Sequence, residues 1–103
     1  MAGTEALSSH LMPLATVPDE VRRLHRERLI GVLERYDAEH QSDLVATVRA
    51  FLDASGSWQH CAEQLHVHVN TLRYRLQRVE QLTGHSLATL HDRVDFVLAF
   101  GIR

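Results

Sequence analysis

The chain has 103 residues with a formal net charge of −2, and 45% of the residues are hydrophobic. This is enough for one domain with a modest core, but no apolar run approaches the ~20 residues of a membrane span. An acidic balance argues against binding nucleic acid through overall charge, although residues 57–103 hold five arginines against four acidic residues. Cys61 is the single cysteine and cannot form an internal disulfide. Together with the lack of a basic leader, this predicts a cytoplasmic protein.

Residues 1–18 mix small, polar and apolar residues and include Pro13 and Pro18. A short helix is predicted over residues 4–12, within a segment that we interpret as a residual linker or the tail of a missing upstream domain. Pro18, Asp19 and Glu20 then mark a helix start, because proline suits the first position and acidic residues favour the first turn. The domain itself is assigned to residues 19–103.

The first helical segment of this domain has apolar residues at rough helical spacing: Val21, Leu24, Leu29, Val32, Leu33 and Tyr36. Gly31 interrupts the pattern at a cost of roughly 1 kcal/mol against alanine. We therefore expect two helices that divide near residue 30. The charged side chains of the segment are interpreted as a solvated face, with a phosphate-binding flank as the alternative.

The second helical segment runs from about residue 42 to residue 56. The Ser42 side chain is expected to cap it, and Gly56 is expected to end it. Its apolar stripe predicts core packing rather than a ligand pocket: Leu44, Val45, Val48, Phe51 and Leu52.

Residues 57–84 have the layout of a helix-turn-helix. Ser57 caps a short helix over residues 57–65, in which Ala62 is small enough to let a second helix approach, and Cys61 is interpreted as a small buried residue. Val67 fills the corner of the turn. Trp58 is interpreted as a core anchor, with a partly exposed plug as the alternative. The second helix, residues 69–83, has His68 at its cap position and these apolar residues at helical spacing: Val69, Leu72, Leu76, Val79 and Leu82.

After Gly84, a connector at Ser86 and Leu87 leads to a last helix over about residues 91–102, with Phe96 and Phe100 as packing groups. No stretch has the pattern of a strand. The predicted fold is therefore all-α, a small bundle of about five helices that contains a helix-turn-helix.

Other chemistry finds little support. His66 and His68 lie close together, but zinc prefers four ligands, and neither Cys61 nor a second histidine pair is spaced to complete the set. No catalytic triad, buried carboxylate pair or glycine-rich phosphate loop can be argued from spacing, so no enzyme, metal or cofactor is expected. The alternative to DNA binding is a helical protein-interaction module, in which the arginines of residues 69–83 form a solvated face or anchor acidic partners.

A family pattern covers the second helix of the motif. The run from His68 to Leu76, HVNTLRYRL, followed by Arg78 to Gly84, RVEQLTG, resembles the C-terminal helix-turn-helix of PucR/CdaR-type bacterial transcriptional regulators. Val69 departs from that pattern, because many members have arginine there, and His60-Cys61 replaces a threonine common before Ala62. The resemblance implies a DNA-binding domain at the C-terminus of a larger regulator, with an upstream sensing domain. The expected partner is double-stranded DNA, bound as a homodimer.

The candidate DNA-binding residues are Ser57, His68, Val69, Asn70, Thr71, Arg73, Tyr74, Arg75, Gln77 and Arg78. Arginine suits guanine, and asparagine or glutamine suits adenine. The residues expected to reach bases in the major groove are Asn70 and Arg73, with Tyr74 and Gln77. Thr71 and Arg78 are expected to hold phosphates, and Val69 to touch a thymine methyl group. Arg75 lies nearer the core edge, where a salt bridge within the domain and a phosphate contact remain alternatives.

Overall fold

The structure, a computed structural model, describes residues 18–101. This part of the chain consists of helices joined by short turns and contains no strand, so the predicted all-α fold is confirmed. The helix predicted over residues 4–12 lies outside the described residues. None of the described helices has the length and apolar character needed to cross a membrane. The elements are α1 (Asp19–Arg26), a π-turn (Glu27–Gly31), α2 (Val32–His40), α3 (Leu44–Asp53), α4 (Trp58–Leu65), α5 (Val69–Thr83) and α6 (Leu90–Phe100).

The break predicted near residue 30 is a π-turn inside a continuous helix. The residues that flank the turn both have right-handed helical dihedral angles. Gly31 is buried, and the Glu27 carboxylate lies where a Cβ at this position would be, so glycine leaves room for that side chain. The predicted division near residue 30 is confirmed, since the π-turn separates α1 from α2, although the backbone continues through the turn with Leu29 and Ile30 buried in it.

α1 has no buried residue. Val21 and Leu24, which belong to the apolar pattern of the first segment, are 50% and 63% exposed. On its inner side α1 contacts α6, where His25 Nε2 lies 3.4 Å from the carbonyl oxygen of Asp95. Val21 and Leu24 therefore face solvent, and the prediction from their spacing that they pack in the core is wrong.

The corner between α2 and α3 is capped by a residue from the preceding helix. The Asp37 carboxylate accepts hydrogen bonds from the amides of Leu44 at 2.8 Å and Val45 at 3.0 Å. Ser42, the predicted cap, instead donates its hydroxyl to Asp37 at 2.5 Å, so that prediction is wrong. A carboxylate suits this position better, because the unpaired amides and the dipole of a helix N-terminus favour negative charge.

α3 lies at the centre of the bundle, in contact with α2, α4 and α5. Its predicted stripe faces inward, with Val48 and Phe51 fully buried. Gly56 completes the turn that ends α3, with φ of 80° and its amide 3.1 Å from the Phe51 carbonyl oxygen. The core also takes in Leu29, Ile30, Leu33, Leu72, Leu76, Val79, Leu87, Phe96 and Ala99.

α4 meets the core through small residues. Cys61 and Ala62 are 0% and 4% exposed, which confirms Cys61 as a buried residue, and this burial raises the pKa of its thiol. Trp58 is 37% exposed, so its interpretation as a core anchor is wrong. Phe51 already fills the interior at this point, and Trp58 packs against it edge-on with ring centroids 5.2 Å apart.

Candidate nucleic-acid interface

α4, a short turn and α5 form the predicted helix-turn-helix. Ser57 caps α4, since its Oγ accepts a hydrogen bond from the His60 amide at 3.3 Å. His66, with φ of 57°, reverses the chain. Val67 then donates its amide to the Ala62 carbonyl at 3.0 Å and packs against the core, so it fills the corner as predicted.

His68 caps α5, as its position in the sequence predicts. Its Nδ1 accepts a hydrogen bond from the Asn70 amide at 3.0 Å. An imidazole nitrogen accepts only when it carries no proton, so this contact requires the neutral tautomer with its proton on Nε2. The cap satisfies one of the amides that a helix N-terminus leaves unpaired.

One side of α5 enters the core and the other faces solvent. Leu72, Leu76 and Val79 are buried, while Val69 and Leu82 are partly buried. The exposed side carries five of the predicted contact residues: Asn70, Thr71, Arg73, Tyr74 and Gln77. Tyr74, the aromatic residue of this side, is 60% exposed. The predicted phase of the helix is therefore confirmed.

The polar groups of this face have few partners within the protein. The side chains of Asn70, Arg73 and Gln77 form no hydrogen bond or ion pair with any residue between 18 and 101. From Asn70 to Gln77 the helix rises about 10 Å, which equals the rise of about three base pairs. Unsatisfied donors and acceptors over this length can form hydrogen bonds with the edges of bases.

Arg75 lies at the edge of the core. It is half-buried, and its Nη1 donates to Thr47 Oγ1 on α3 at 3.2 Å. Thr47 is fully buried and donates the same hydroxyl to the Asp43 carbonyl at 2.7 Å. The contact within the domain is therefore a hydrogen bond to a neutral hydroxyl, not the salt bridge that the sequence left open.

Arg78 is held between two aromatic rings. Its guanidinium carbon lies 5.8 Å from the ring centroids of both Tyr36 and Tyr74. It donates to the Tyr74 hydroxyl at 3.2 Å and to Gln81 Oε1 at 2.9 Å. The hydrogen bond to Tyr74 and the proximity of Tyr36 raise the pKa of Arg78. These contacts fix the direction of both Arg78 and Tyr74 before any ligand binds.

Two shallow grooves flank α5, and each contains residues that the sequence did not single out for the site. On one side, a groove of about 200 Å³ lies between α5 and the α2–α3 corner, where Tyr36 and Gln41 join Thr71, Arg75 and Arg78. On the other side, a groove of about 210 Å³ is lined by Trp58, Arg73, Gln77, Glu80, Ser86 and neighbouring residues. The sequence carried no signal that distinguished Tyr36 and Trp58 from core aromatics, because only the packing of the helices brings them to α5.

The connector between α5 and α6 contains a small polar cluster. Ligand-type atoms of His85, Asp92 and Asp95 lie within 4.8 Å of one another. His85 Nε2 is 3.2 Å from an Asp95 carboxylate oxygen, and Asp92 accepts a hydrogen bond from the Ser86 amide at 2.7 Å. These bonds tie the connector to α6. His66 and His68, the pair considered for a metal, do not belong to the cluster.

Two contacting helices joined by a tight turn, with the second helix exposing polar groups along one side, define a helix-turn-helix domain of the DNA-binding class. The family model of the PucR C-terminal helix-turn-helix domain matches residues 44–102. The chain therefore belongs to this family, as its motif indicated, and it is the DNA-binding output domain of a transcriptional regulator.

Curated relatives support this assignment. The chain is 33% identical to the DNA-binding transcriptional activator AdeR of Bacillus subtilis over 79 residues, which are 77% of this chain and 19% of AdeR. It is 44% identical over 88 residues to YsfB of the same organism, an uncharacterised protein, covering 85% of this chain and 23% of YsfB. The proline-responsive transcriptional activator PutR, also of Bacillus subtilis, is 29% identical over 67% of this chain and 17% of its own length. The chain thus spans about a fifth of the length of these relatives. No solved structure matches it.

Proposed function

We propose that α5 lies in the major groove of DNA and reads a short sequence through Asn70, Arg73 and Gln77, with Tyr74 beside them. The observation that supports this assignment is the exposed side of α5, where the side chains of Asn70, Arg73 and Gln77 lack partners among the described residues. Arg73 suits a guanine, and Asn70 or Gln77 suits an adenine. Val69 is only partly buried at the start of the helix, where its methyl groups can meet a thymine methyl.

Phosphate contacts are proposed for both ends of this surface. Thr71 and Arg78 border the groove beside the α2–α3 corner, and Tyr36 holds the Arg78 guanidinium in place. Ser57 and His68 lie at the N-termini of α4 and α5, where unpaired amides favour a phosphate. Arg75 keeps further donors beyond its bond to Thr47 and is a secondary candidate.

The wider setting is also a proposal. Because the relatives are about five times longer, we propose that a sensing domain precedes this domain in the whole protein. AdeR and PutR are named as activators, and the same direction of regulation is proposed here. The domain would act as a homodimer in the cytoplasm, where a bacterial chromosome lies, and would need no enzymatic activity or cofactor.

Selection of bound duplexes from a random pool tests sequence-specific binding directly. We expect an enriched motif of about three base pairs per copy, repeated as an inverted pair with half-sites about 10 base pairs apart. In titrations of the selected duplex, log K should fall by about 0.9 for each phosphate contact with every tenfold increase in salt concentration. A pool without enrichment, together with an affinity independent of salt, would instead support the protein-interaction module.

A further inference from the structure

α1 presents an apolar pair to solvent. Val21 is 50% exposed and Leu24 is 63% exposed, and no residue of α1 is buried. Large apolar side chains that lie next to each other on one helix face often mark a contact with another protein surface. α1 precedes residues 44–102, the part matched by the family model, so that match assigns no role to this helix.

The charges around this pair divide into two groups. Several are neutralised within the chain, in the ion pairs Asp19–Arg22, Arg26–Glu34 at 2.9 Å and Glu27–Arg35 at 3.1 Å. Glu20, Arg23 and Arg28 are exposed, and none of them forms a hydrogen bond or ion pair with another residue of the described range 18–101. These three charges are therefore available to an external partner.

Two of the available charges, Glu20 and Arg28, lie on either side of Leu24 in one stripe, and Arg23, one residue before Leu24, lies outside it. Glu20 precedes Leu24 by four residues and Arg28 follows it by four, so each is about 6 Å from Leu24 along the helix axis. Residues four apart lie on the same face of a helix. The stripe is thus negative at one end, apolar in the middle and positive at the other end.

We propose that this stripe is a homodimer contact, in which the α1 helices of two copies lie antiparallel with Leu24 packed against Leu24 near the two-fold axis. A two-fold axis makes each contact occur twice, because residue i meets residue j and residue j meets residue i. Glu20 of each copy then faces Arg28 of the other. A parallel arrangement would oppose like charges, so the charge order favours the antiparallel pair.

This contact identifies the surface that would join two copies of the domain on DNA. Only the role of the dimer on DNA rests on the proposed function, because the contact itself forms without DNA. The stripe is smaller than the ~800 Å² per partner of a standard interface, so association in solution is weak. Two copies bound to adjacent half-sites have a high effective concentration, and there even a weak contact gives cooperative binding.

Sedimentation equilibrium of the full chain without DNA tests the contact. The unmodified chain should show a monomer–dimer equilibrium, and Leu24→Glu should remain monomeric. E20R and R28E each place like charges opposite each other twice, and each should weaken dimerisation roughly ten-fold or more. A one-to-one mixture of E20R and R28E restores both opposite-charge contacts and should dimerise about as well as the unmodified chain. E39R makes the same charge change on α2 and should behave as the unmodified chain does.

A chain that stays monomeric at the highest soluble concentration would overturn the proposal. A dimer that E20R, R28E and Leu24→Glu weaken no more than E39R does would also overturn it. So would a mixture of E20R and R28E that dimerises no better than either variant alone. Circular dichroism verifies that each variant is folded. Because no DNA is present, these outcomes leave the proposed DNA binding unaffected, and affinity of the Leu24→Glu variant for a single half-site tests that binding separately.

Discussion

Replacement of Arg73 by alanine distinguishes a DNA contact from a structural role. Arg73 is exposed, and its guanidinium has no hydrogen-bond or ion-pair partner in residues 18–101. The free energy of unfolding should therefore change by less than ~0.5 kcal/mol. A bidentate pair with guanine contributes ~1–3 kcal/mol of discrimination, which corresponds to an affinity for the selected duplex about 5- to 150-fold lower.

Arg75, two residues away on the same helix, is expected to affect stability more than DNA affinity. Its side chain is half-buried and bonds to Thr47 at 3.2 Å. Arg75→Ala should lower the free energy of unfolding by about 1 kcal/mol, through the lost hydrogen bond and the lost packing of the side-chain stem. We expect a smaller loss of DNA affinity than for Arg73→Ala.

Fluorescence anisotropy with the selected duplex and a scrambled duplex measures affinity, and urea denaturation measures stability. Arg49→Ala on α3 removes the same charge outside the helix-turn-helix and serves as the control. Equal losses for both duplexes would show that Arg73 contacts phosphate and not a base. Unchanged affinity for both would refute the assignment of this side of α5 to DNA.

Three further predictions concern the cap, the aromatic clamp and the thiol. His68→Ala should lower the free energy of unfolding by ~0.5–2 kcal/mol because the Asn70 amide loses its acceptor, and His68→Asn should restore most of this in urea denaturation. Tyr36→Leu removes one ring beside Arg78, a contact of ~0.5–1 kcal/mol, and anisotropy should show weaker binding to all sequences alike; a sequence-dependent loss would contradict a phosphate role. Burial raises the pKa of Cys61, so the folded chain keeps this proton where the unfolded chain loses it. Its free energy of unfolding should then fall as the pH rises above ~8.5, and Cys61→Ala should reduce that slope.

Local patterns in the sequence were sufficient for the helix-turn-helix. Caps such as Ser57 and His68 act on amides two or three residues away, so their roles follow from neighbouring residues. The apolar spacing of α5 fixed which side enters the core, and this also fixed which side exposes Asn70 and Arg73. The family motif lies in the same stretch, which is why class and candidate residues could be predicted together.

Predictions failed where a residue on another helix determined the outcome. Ser42 is adjacent to α3, but the Asp37 carboxylate reaches the first amides of that helix and caps it. Trp58 is a large aromatic residue of the kind that often packs in a core, but Phe51 occupies the interior at this position.

The sequence by itself determined the helices, the turn and the polar side of α5, because periodicity and capping depend on residues within a few positions of each other. The tertiary structure alone decided the bond of Arg75 to Thr47, 28 residues away, and the place of Arg78 beside Tyr36. It also left Val21 and Leu24 on the surface. An apolar pattern shows that one side of a helix prefers to be covered, but the arrangement of the other helices decides whether the same chain covers it.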